Sequence, residues 1–346
     1  MVGNPGHCRY RAAMATGRDG AGKAGIAVLV LCSVTAQILF IAINIAPDWP
    51  LLAALSNFTP VFPLLALCAL AAVWMIGKQR IWRGALVMDV MVCLIMLGVS
   101  IWPSCPLWPA PATDAGSVRA LKIISFNAWT QNRDPVRAAQ WILAQRPDAV
   151  ILLEASGRSA IIAALLAPSL PYKVSCRGDR SCSTLILSRW KPSERAGFAR
   201  GDADNRRALS AAYMRFATPA PGFSVVAVHL SRPWPIGAQQ RELALLAAKM
   251  RGRSREGLLI AGDFNATDRS ITLRRAEQQL GVRAMGGDPP SWPAPFAGFP
   301  LPALLDIDHA LLGSGWSAAR TEHGPELGSD HYPLVITLQR GNIHAR

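Results

Sequence analysis

Eight side chains able to bind a cation or move a proton cluster beside apolar runs of strand length in the last two thirds of the chain. They are Asn127, Glu154, His229, Asp263, Asn265, Asp308, Asp330 and His331. Most of them come directly after the apolar run. Because a sheet delivers the residues at its strand ends to one rim, we expect these side chains to lie close together.

The residue types indicate metal-assisted chemistry at phosphorus. Carboxylate and amide oxygens are hard ligands that suit Mg²⁺, Mn²⁺ or Ca²⁺ rather than zinc. Histidines beside them supply acid–base groups and an electrophile for a phosphoryl centre. Each residue taken singly has an ordinary alternative, since an Asp or Asn after a strand is usually a turn residue. Five such strand ends in one domain are hard to explain by turns alone.

Six short motifs follow one another in a characteristic order: Ser-Phe-Asn, Leu-Leu-Glu, Val-His-Leu, Gly-Asp-Phe-Asn, Ile-Asp-His and Ser-Asp-His. This set resembles the endonuclease/exonuclease/phosphatase superfamily over about residues 120–340. That superfamily includes deoxyribonucleases, apurinic endonucleases, inositol polyphosphate 5-phosphatases and neutral sphingomyelinases. The Gly-Asp-Phe-Asn and Ser-Asp-His motifs are the specific part of the resemblance.

The resemblance implies a metal-binding group made of Glu154, Asn127 and Asp330. It also places Arg206 and Arg207 roughly where the deoxyribonuclease branch has a phosphate-contacting Arg, although a surface pair of arginines is the ordinary alternative. The implied cofactor is Mg²⁺, with Mn²⁺ or Ca²⁺ as the other candidates.

Five further residues receive catalytic roles from the same resemblance. Asp263 matches the acid that handles the attacking water or the leaving oxygen, and Asn265 matches the residue that orients the phosphate. His331 matches the histidine that contacts the scissile phosphate, and Asp308 holds it. His229 matches a second phosphate-facing histidine.

Two departures from the family pattern are visible. Trp129 stands where some nuclease members have an acid, and Asp306 stands where many members have Arg.

Short apolar runs alternate with turn signals and helical stretches from residue 120 onward. Strands are predicted at residues 121–126, 149–153, 185–187, 211–216, 224–230, 258–261, 309–312 and 334–338. Helices are predicted at residues 135–145, 159–166, 239–250 and 270–280. The pattern indicates an α+β fold, and the resemblance implies a four-layer α/β/β/α sandwich of two packed mixed sheets.

The first third of the chain holds the excess of apolar residues, which make up 51% of the whole sequence. Three segments reach membrane-spanning length within residues 26–102, and we expect three transmembrane helices there. Residues 1–25 are predicted to be a cytoplasmic tail, residues 103–119 a Pro-rich linker, and residues 120–346 the catalytic domain. The Lys and Arg residues flanking the spans place the catalytic domain on the periplasmic or extracellular side of a bacterial inner membrane.

The net charge of +14 suits an anionic partner, although a solvated Arg-rich surface is an equally simple explanation. Cys176 and Cys182 are close in sequence and form a candidate disulfide in an oxidising compartment. A zinc site would need more ligands nearby than the sequence offers.

The sequence therefore predicts a membrane-anchored, divalent-metal-dependent phosphoesterase that hydrolyses a phosphodiester or phosphomonoester by in-line attack of water. Nucleic acid, a lipid head group and a small metabolite all stay open as the phosphorylated substrate. The lipid bilayer is the one further partner expected, and no protein partner can be inferred. The alternative is a catalytically inactive binding or scaffold module that retains the fold.

Overall fold

The computed structural model describes residues 6–45, 49–76, 83–101, 120–199, 209–219, 222–285, 287–295 and 303–340. The chain divides into two compact units, Met1–Cys105 and Pro106–Arg346. The predicted linker at residues 103–119 lies outside the described residues.

The described part of the first unit is helical. Its helices are α1 (Gly6–Ile45), α2 (Pro50–Leu55), α3 (Val61–Ile76) and α4 (Arg83–Ile101). A polar contact links the first helix to the fourth, where the Gln37 amide donates to the Asp89 carboxylate at 2.5 Å.

The expectation of three transmembrane helices is not met in the described part of this unit. One helix, Ala24–Ile45, is long and apolar enough to cross a membrane. The second apolar segment is divided into Pro50–Phe58 and Val61–Met75, which are bent by 66°. Pro60 lies at this break, and proline cannot donate the backbone hydrogen bond that would continue a helix. In α4, the apolar part Leu86–Val99 is shorter than a span.

The second unit combines twelve described strands with four helices. The strands are β1 (Leu121–Asn127), β2 (Ala149–Leu153), β3 (Tyr172–Ser175), β4 (Leu185–Ser188), β5 (Glu194–Gly197), β6 (Ser210–Phe216), β7 (Phe223–His229), β8 (Leu258–Asp263), β9 (Arg283–Ala284), β10 (Asp308–Leu312), β11 (Trp316–His323) and β12 (Leu334–Arg340). The helices are α5 (Pro135–Ala144), α6 (Ala160–Leu166), α7 (Ala238–Lys249) and α8 (Ile271–Leu280).

The strands form two six-stranded sheets, with the orders β11-β12-β1-β2-β4-β3 and β5-β6-β7-β8-β10-β9. Each sheet is mixed. The pairs β1–β2 and β7–β8 are parallel, and the other pairs are antiparallel. The prediction of two packed mixed sheets is confirmed.

Three hydrophobic clusters hold the layers together. The central cluster joins the inner faces of the two sheets, with Ile123 and Ile151 on one sheet and Val225 on the other. A second cluster packs α7 and α8 on the outer face of one sheet, and a third packs α5 and α6 on the other. Burying each large aliphatic side chain contributes about 1.5–3 kcal/mol. The order of layers is therefore helix, sheet, sheet, helix, as expected.

Four strands were not predicted from sequence, namely β3, β5, β9 and β11. All four are edge strands. Strands β5 and β9 have no fully buried residue, so their sequences lack the apolar run that marks an inner strand. Beside this edge region the structure pairs Cys176 with Cys182 in a disulfide, with their Cα atoms 5.7 Å apart.

Candidate active site

The strand register brings the predicted residues to one rim of the sandwich. In one sheet Asn127 is the Cα partner of Leu153, so Glu154 follows immediately beside it. In the other sheet Asp263 is the partner of both His229 and Asp308. Residues far apart in the chain therefore meet because their strands end side by side.

Asn127 connects the two sheets through its side-chain amide. The Nδ2 atom donates to Asp263 Oδ2 at 3.0 Å and lies 3.5 Å from His331 Nε2. All three residues are buried. This contact joins the end of β1 to the end of β8 and to the loop before β12.

Asp308 and His331 form a buried acid–imidazole pair. His331 Nδ1 lies 2.7 Å from Asp308 Oδ2, and the Ser291 hydroxyl donates to the same oxygen at 2.6 Å. Burial alone would lower the pKa of His331, but Asp308 and then Asp263 and Asp330 outweigh it and raise the pKa to about 9. For Asp308, burial raises the pKa, but the positive charge of His331 together with the hydrogen bonds from His331 and Ser291 outweighs burial, so that the pKa is lowered overall.

Asp263 is the central acid of the site. Its Oδ1 accepts the backbone N–H of Asn265 at 2.7 Å, while Oδ2 faces two imidazoles. His229 Nε2 lies 3.7 Å and His331 Nε2 lies 3.8 Å from that oxygen. Burial raises the pKa of Asp263, and the two histidines offset part of this effect.

Asn265 adopts a left-handed backbone conformation with φ of 47°. Its side-chain amide donates to the carbonyl of Leu230 at 2.9 Å, and its own carbonyl accepts the side chain of Gln239 at 3.0 Å. The turn that follows β8 is therefore fixed against the turn that follows β7.

Glu154 lies on the more exposed side of the same rim, with 29% of its side chain accessible. Its backbone is also left-handed, with φ of 51°. The Thr130 backbone N–H and hydroxyl both approach Glu154 Oε2 at 3.4 Å, and His229 Nε2 lies 3.9 Å from Oε1. Such long contacts leave carboxylate lone pairs for another ligand.

Asp330 is half-buried beside His331, and its backbone carbonyl accepts the N–H of Ala294 at 2.7 Å. Its charge is one of those that raise the pKa of His331. Arg206 and Arg207 lie outside the described residues.

The tightest group of ligand-type side chains is Asp263, Asp308 and His331, whose ligand atoms lie within 4.8 Å of one another. This is a different set from the predicted metal ligands. His331 uses Nδ1 to donate to Asp308, and a pKa of about 9 leaves the ring protonated near neutral pH. Because His331 Nδ1 faces Asp308, Nε2 is the ring nitrogen that is directed toward Asp263.

Three supporting residues were missed by the sequence analysis. Ser291 donates to Asp308, Ser329 donates to the carbonyl of Asn127 at 2.7 Å, and Thr130 contacts Glu154. Ser329 belongs to the Ser-Asp-His motif and could have been found there. Nothing in the sequence around Ser291 or Thr130 marks them, because their partners lie in distant segments.

A sequence model of the endonuclease/exonuclease/phosphatase family matches residues 124–331, which is more than half of the chain. The chain belongs to this family. The match begins in β1 and ends at His331, so it encloses all of the predicted site residues. It does not cover the N-terminal helices. Family membership makes the chain a hydrolase of phosphate ester bonds.

Two solved structures with TM-scores of at least 0.50 share the fold of this chain. Beta toxin from Staphylococcus aureus, in a structure with bound magnesium ions, has a TM-score of 0.51 and 16% identity over 63% of this chain and 99% of its own. A functionally unknown protein from Enterococcus faecalis V583 has a TM-score of 0.50 and 16% identity over 64% and 100%. Sphingomyelinase C from Streptomyces griseocarneus has a TM-score of 0.48 and 17% identity over 63% and 99%. No curated protein matches the chain.

Proposed function

We propose that this chain is a membrane-anchored, divalent-metal-dependent phosphoesterase that cleaves its substrate by in-line attack of water. The proposal depends on the three nitrogen atoms around Asp263 Oδ2. Asn127 Nδ2 lies 3.0 Å from this oxygen, and the Nε2 atoms of His229 and His331 lie 3.7 and 3.8 Å from it. The two longer distances exceed a hydrogen bond. A water or a phosphoryl oxygen is therefore within reach of both imidazoles and the carboxylate.

Each of these groups has a distinct task in the proposed reaction. Asp263 accepts the proton of the attacking water, because burial makes its carboxylate more basic than usual. His331, oriented by Asp308, donates a hydrogen bond to a phosphoryl oxygen where negative charge develops. His229 approaches from the opposite sheet and contacts a second oxygen of the same phosphate. As the oxygen of water bonds to phosphorus, the P–O bond on the opposite side breaks, and the leaving group departs with the electron pair of that bond and takes a proton from solvent. No covalent intermediate is needed.

The donor atoms on the exposed side of the site fit a hard divalent cation. Glu154 offers carboxylate oxygens whose contacts with Thr130 are long, at 3.4 Å. Asn127 lies beside it in the sheet, and Asp330 precedes His331. We assign Glu154, Asn127 and Asp330 as the residues that would hold Mg²⁺, Mn²⁺ or Ca²⁺. A cation bound there would lower the charge on the phosphate and stabilise the charge that develops on it.

The proposed membrane anchor is the apolar helix Ala24–Ile45. Large apolar side chains on the helices of the first unit are more than half exposed, including Leu31, Ile38 and Trp74. Water disfavours such surfaces, whereas lipid accommodates them. The disulfide between Cys176 and Cys182 supports a catalytic domain outside the cytoplasm. Alkaline extraction of membranes tests whether the chain is anchored. Protease protection in spheroplasts tests on which side of the membrane the catalytic domain lies. Release of the chain into the soluble fraction would contradict the anchor.

One assay tests the catalytic proposal. The full chain, purified in detergent, is incubated with bis-p-nitrophenyl phosphate, plasmid DNA or phospholipid vesicles, in the presence of Mg²⁺, Mn²⁺ or EDTA. We expect hydrolysis that depends on the metal and disappears in Asp263→Ala and His331→Ala. Activity that survives both substitutions contradicts the mechanism. Absence of hydrolysis under every condition favours an inactive scaffold module instead.

A further inference from the structure

The loop that follows β1 carries two residues, Trp129 and Arg133, to which the proposed reaction gives no task. The Arg133 guanidinium carbon lies 5.8 Å from the centre of the Trp129 indole, as in a cation–π contact. The indole is partly exposed and Arg133 is exposed. Trp129 stands two residues after Asn127, so this pair adjoins the phosphate site.

The backbone of Trp129 is held in an unfavourable conformation. Its φ is 54°, a left-handed value that bulky residues rarely adopt. Three other described residues share this feature. Glu154 and Asn265, with φ of 51° and 47°, belong to the candidate site, whereas Arg146, with φ of 51°, lies outside it. Strained residues of this kind concentrate where a side chain must be presented to a ligand. Trp129 shares this feature with two site residues, and its hydrogen bond to Asn127 places its backbone beside the site.

The contacts of the loop explain how this conformation is maintained. The Trp129 N–H donates to Asn127 Oδ1 at 3.2 Å, and the next N–H, of Thr130, approaches Glu154 at 3.4 Å. Arg158 N donates to the Thr130 carbonyl at 3.0 Å, and Arg133 N donates to the Gly328 carbonyl at 2.8 Å. The loop is thus tied to the segment that carries Glu154 and to the one that leads to His331.

Rigidity and charge together restrict what the pair can bind. A fixed indole offers a flat apolar surface on which a planar group can stack. Arg133 and Arg158 are both exposed, and the Arg158 side chain donates to the Arg133 carbonyl at 3.2 Å. Two positively charged residues therefore lie close together in the loop that carries Trp129. Positive charges repel a quaternary ammonium head group such as choline and attract the phosphates on either side of a nucleoside.

We infer that Trp129 and Arg133 form a subsite that stacks on a nucleobase beside the scissile phosphate, so that the enzyme prefers nucleotidyl phosphodiesters to choline phospholipids. This inference rests on the proposed phosphoesterase function and names its substrate class. Trp129 supplies the stacking surface. Arg133 fixes the indole and attracts the flanking phosphate.

Two chromogenic substrates test the subsite, because they share a leaving group and differ in the group that remains on phosphorus. They are thymidine 5′-monophosphate p-nitrophenyl ester and p-nitrophenyl phosphorylcholine. The full chain with Mg²⁺ or Mn²⁺ should hydrolyse the thymidine ester with the higher kcat/KM. In Trp129→Leu, kcat/KM for that ester should fall roughly tenfold, about 1.4 kcal/mol, chiefly through KM. Trp129→Phe should keep most of the preference.

The matched control for Arg133→Gln is Arg320→Gln, since Arg320 is an exposed arginine of β11 that pairs with Glu322. Arg133→Gln should weaken binding of the thymidine ester and make it less sensitive to salt, whereas Arg320→Gln should change neither property. A purely structural role of Trp129 would lower the rates on both substrates equally, and that result overturns the inference. A wild-type preference for phosphorylcholine overturns it as well.

The assay also separates this inference from the proposed function. If bis-p-nitrophenyl phosphate is hydrolysed and the thymidine ester is not, the inferred nucleobase subsite is refuted and the proposed phosphoesterase function is retained. If no substrate is hydrolysed with any metal, both proposals fail.

Discussion

Asp308→Asn replaces one buried carboxylate by an amide of nearly the same shape and leaves His331 without its counter-charge. The wild-type oxygen accepts from His331 Nδ1 at 2.7 Å and from Ser291 at 2.6 Å. A hydrogen bond to a charged group contributes about 1.5–3 kcal/mol and a neutral one about 0.5–1.5 kcal/mol. The substitution should therefore lower stability by about 1–2 kcal/mol.

The effect on catalysis should be much larger than the effect on stability. His331 can act on the phosphate only in the orientation and protonation state that Asp308 imposes. Losing a positioned acid–base group typically lowers the rate about 10²–10⁴-fold. Thermal melting and steady-state hydrolysis of bis-p-nitrophenyl phosphate measure the two effects on the same preparation.

A second buried pair provides the matched control. Asp288 Oδ2 lies 3.3 Å from His309 Nδ1, and both residues are buried. The other nitrogen of His309 donates to the Ala266 carbonyl at 2.7 Å, so the pair has no role in the proposed reaction. Asp288→Asn should reduce stability by a similar amount and leave kcat close to the wild-type value. If Asp308→Asn loses no more activity than Asp288→Asn, the argument for a catalytic pair is refuted.

Three further outcomes are expected. Glu154→Gln should raise the Mg²⁺ concentration needed for half-maximal activity by at least about 10–100-fold, because loss of a group that only supports a metal ligand already has an effect of that size, with little change in melting temperature. Asp263→Asn should abolish hydrolysis but leave stability unchanged or higher, because the desolvation cost of a fully buried carboxylate disappears. Cys176→Ser with Cys182→Ser should lower stability by about 2 kcal/mol, the chain-entropy value for a loop this short.

Controls for these outcomes are direct. A metal titration of wild type in parallel defines the baseline for Glu154→Gln, and an unchanged half-saturation would exclude Glu154 as a ligand. Circular dichroism melts decide whether the inactive Asp263→Asn is folded; an unfolded variant would contradict the stability argument. Wild type treated with a reducing agent should melt like the double serine variant, and identical melts with and without reductant would mean that the disulfide contributes nothing.

The strand-end pattern was enough to predict the α+β fold class and to single out candidate residues that the structure brings to one rim. Inner strands such as β2 and β8 have continuous apolar runs, because both faces of the strand are buried. Polar residues at their ends stand out against such runs. The family resemblance was then confirmed by the match over residues 124–331.

The sequence failed where an element is defined by its neighbours rather than by its own residues. Strand β5 is half-exposed and pairs only because β6 presents a free edge. In the first unit, apolar composition indicated three spans, whereas the second segment is divided by a 66° bend. Pro60, at this bend, is the kink position that the sequence itself offers.

The local sequence by itself determined which chemical groups this chain offers, namely oxygen donors and imidazoles beside buried strands. Which of them act together was decided by tertiary structure alone, since Asn127 meets Asp263 across 136 residues and His331 across 204. Hydrogen bonds of this kind form only after two sheets have packed through their apolar faces. Short-range patterns carry no information about such partners, which is why the hydrogen bond from Ser291 to Asp308 became visible only in the folded chain. The pairing of Asp308 with His331 had been implied only by the family resemblance.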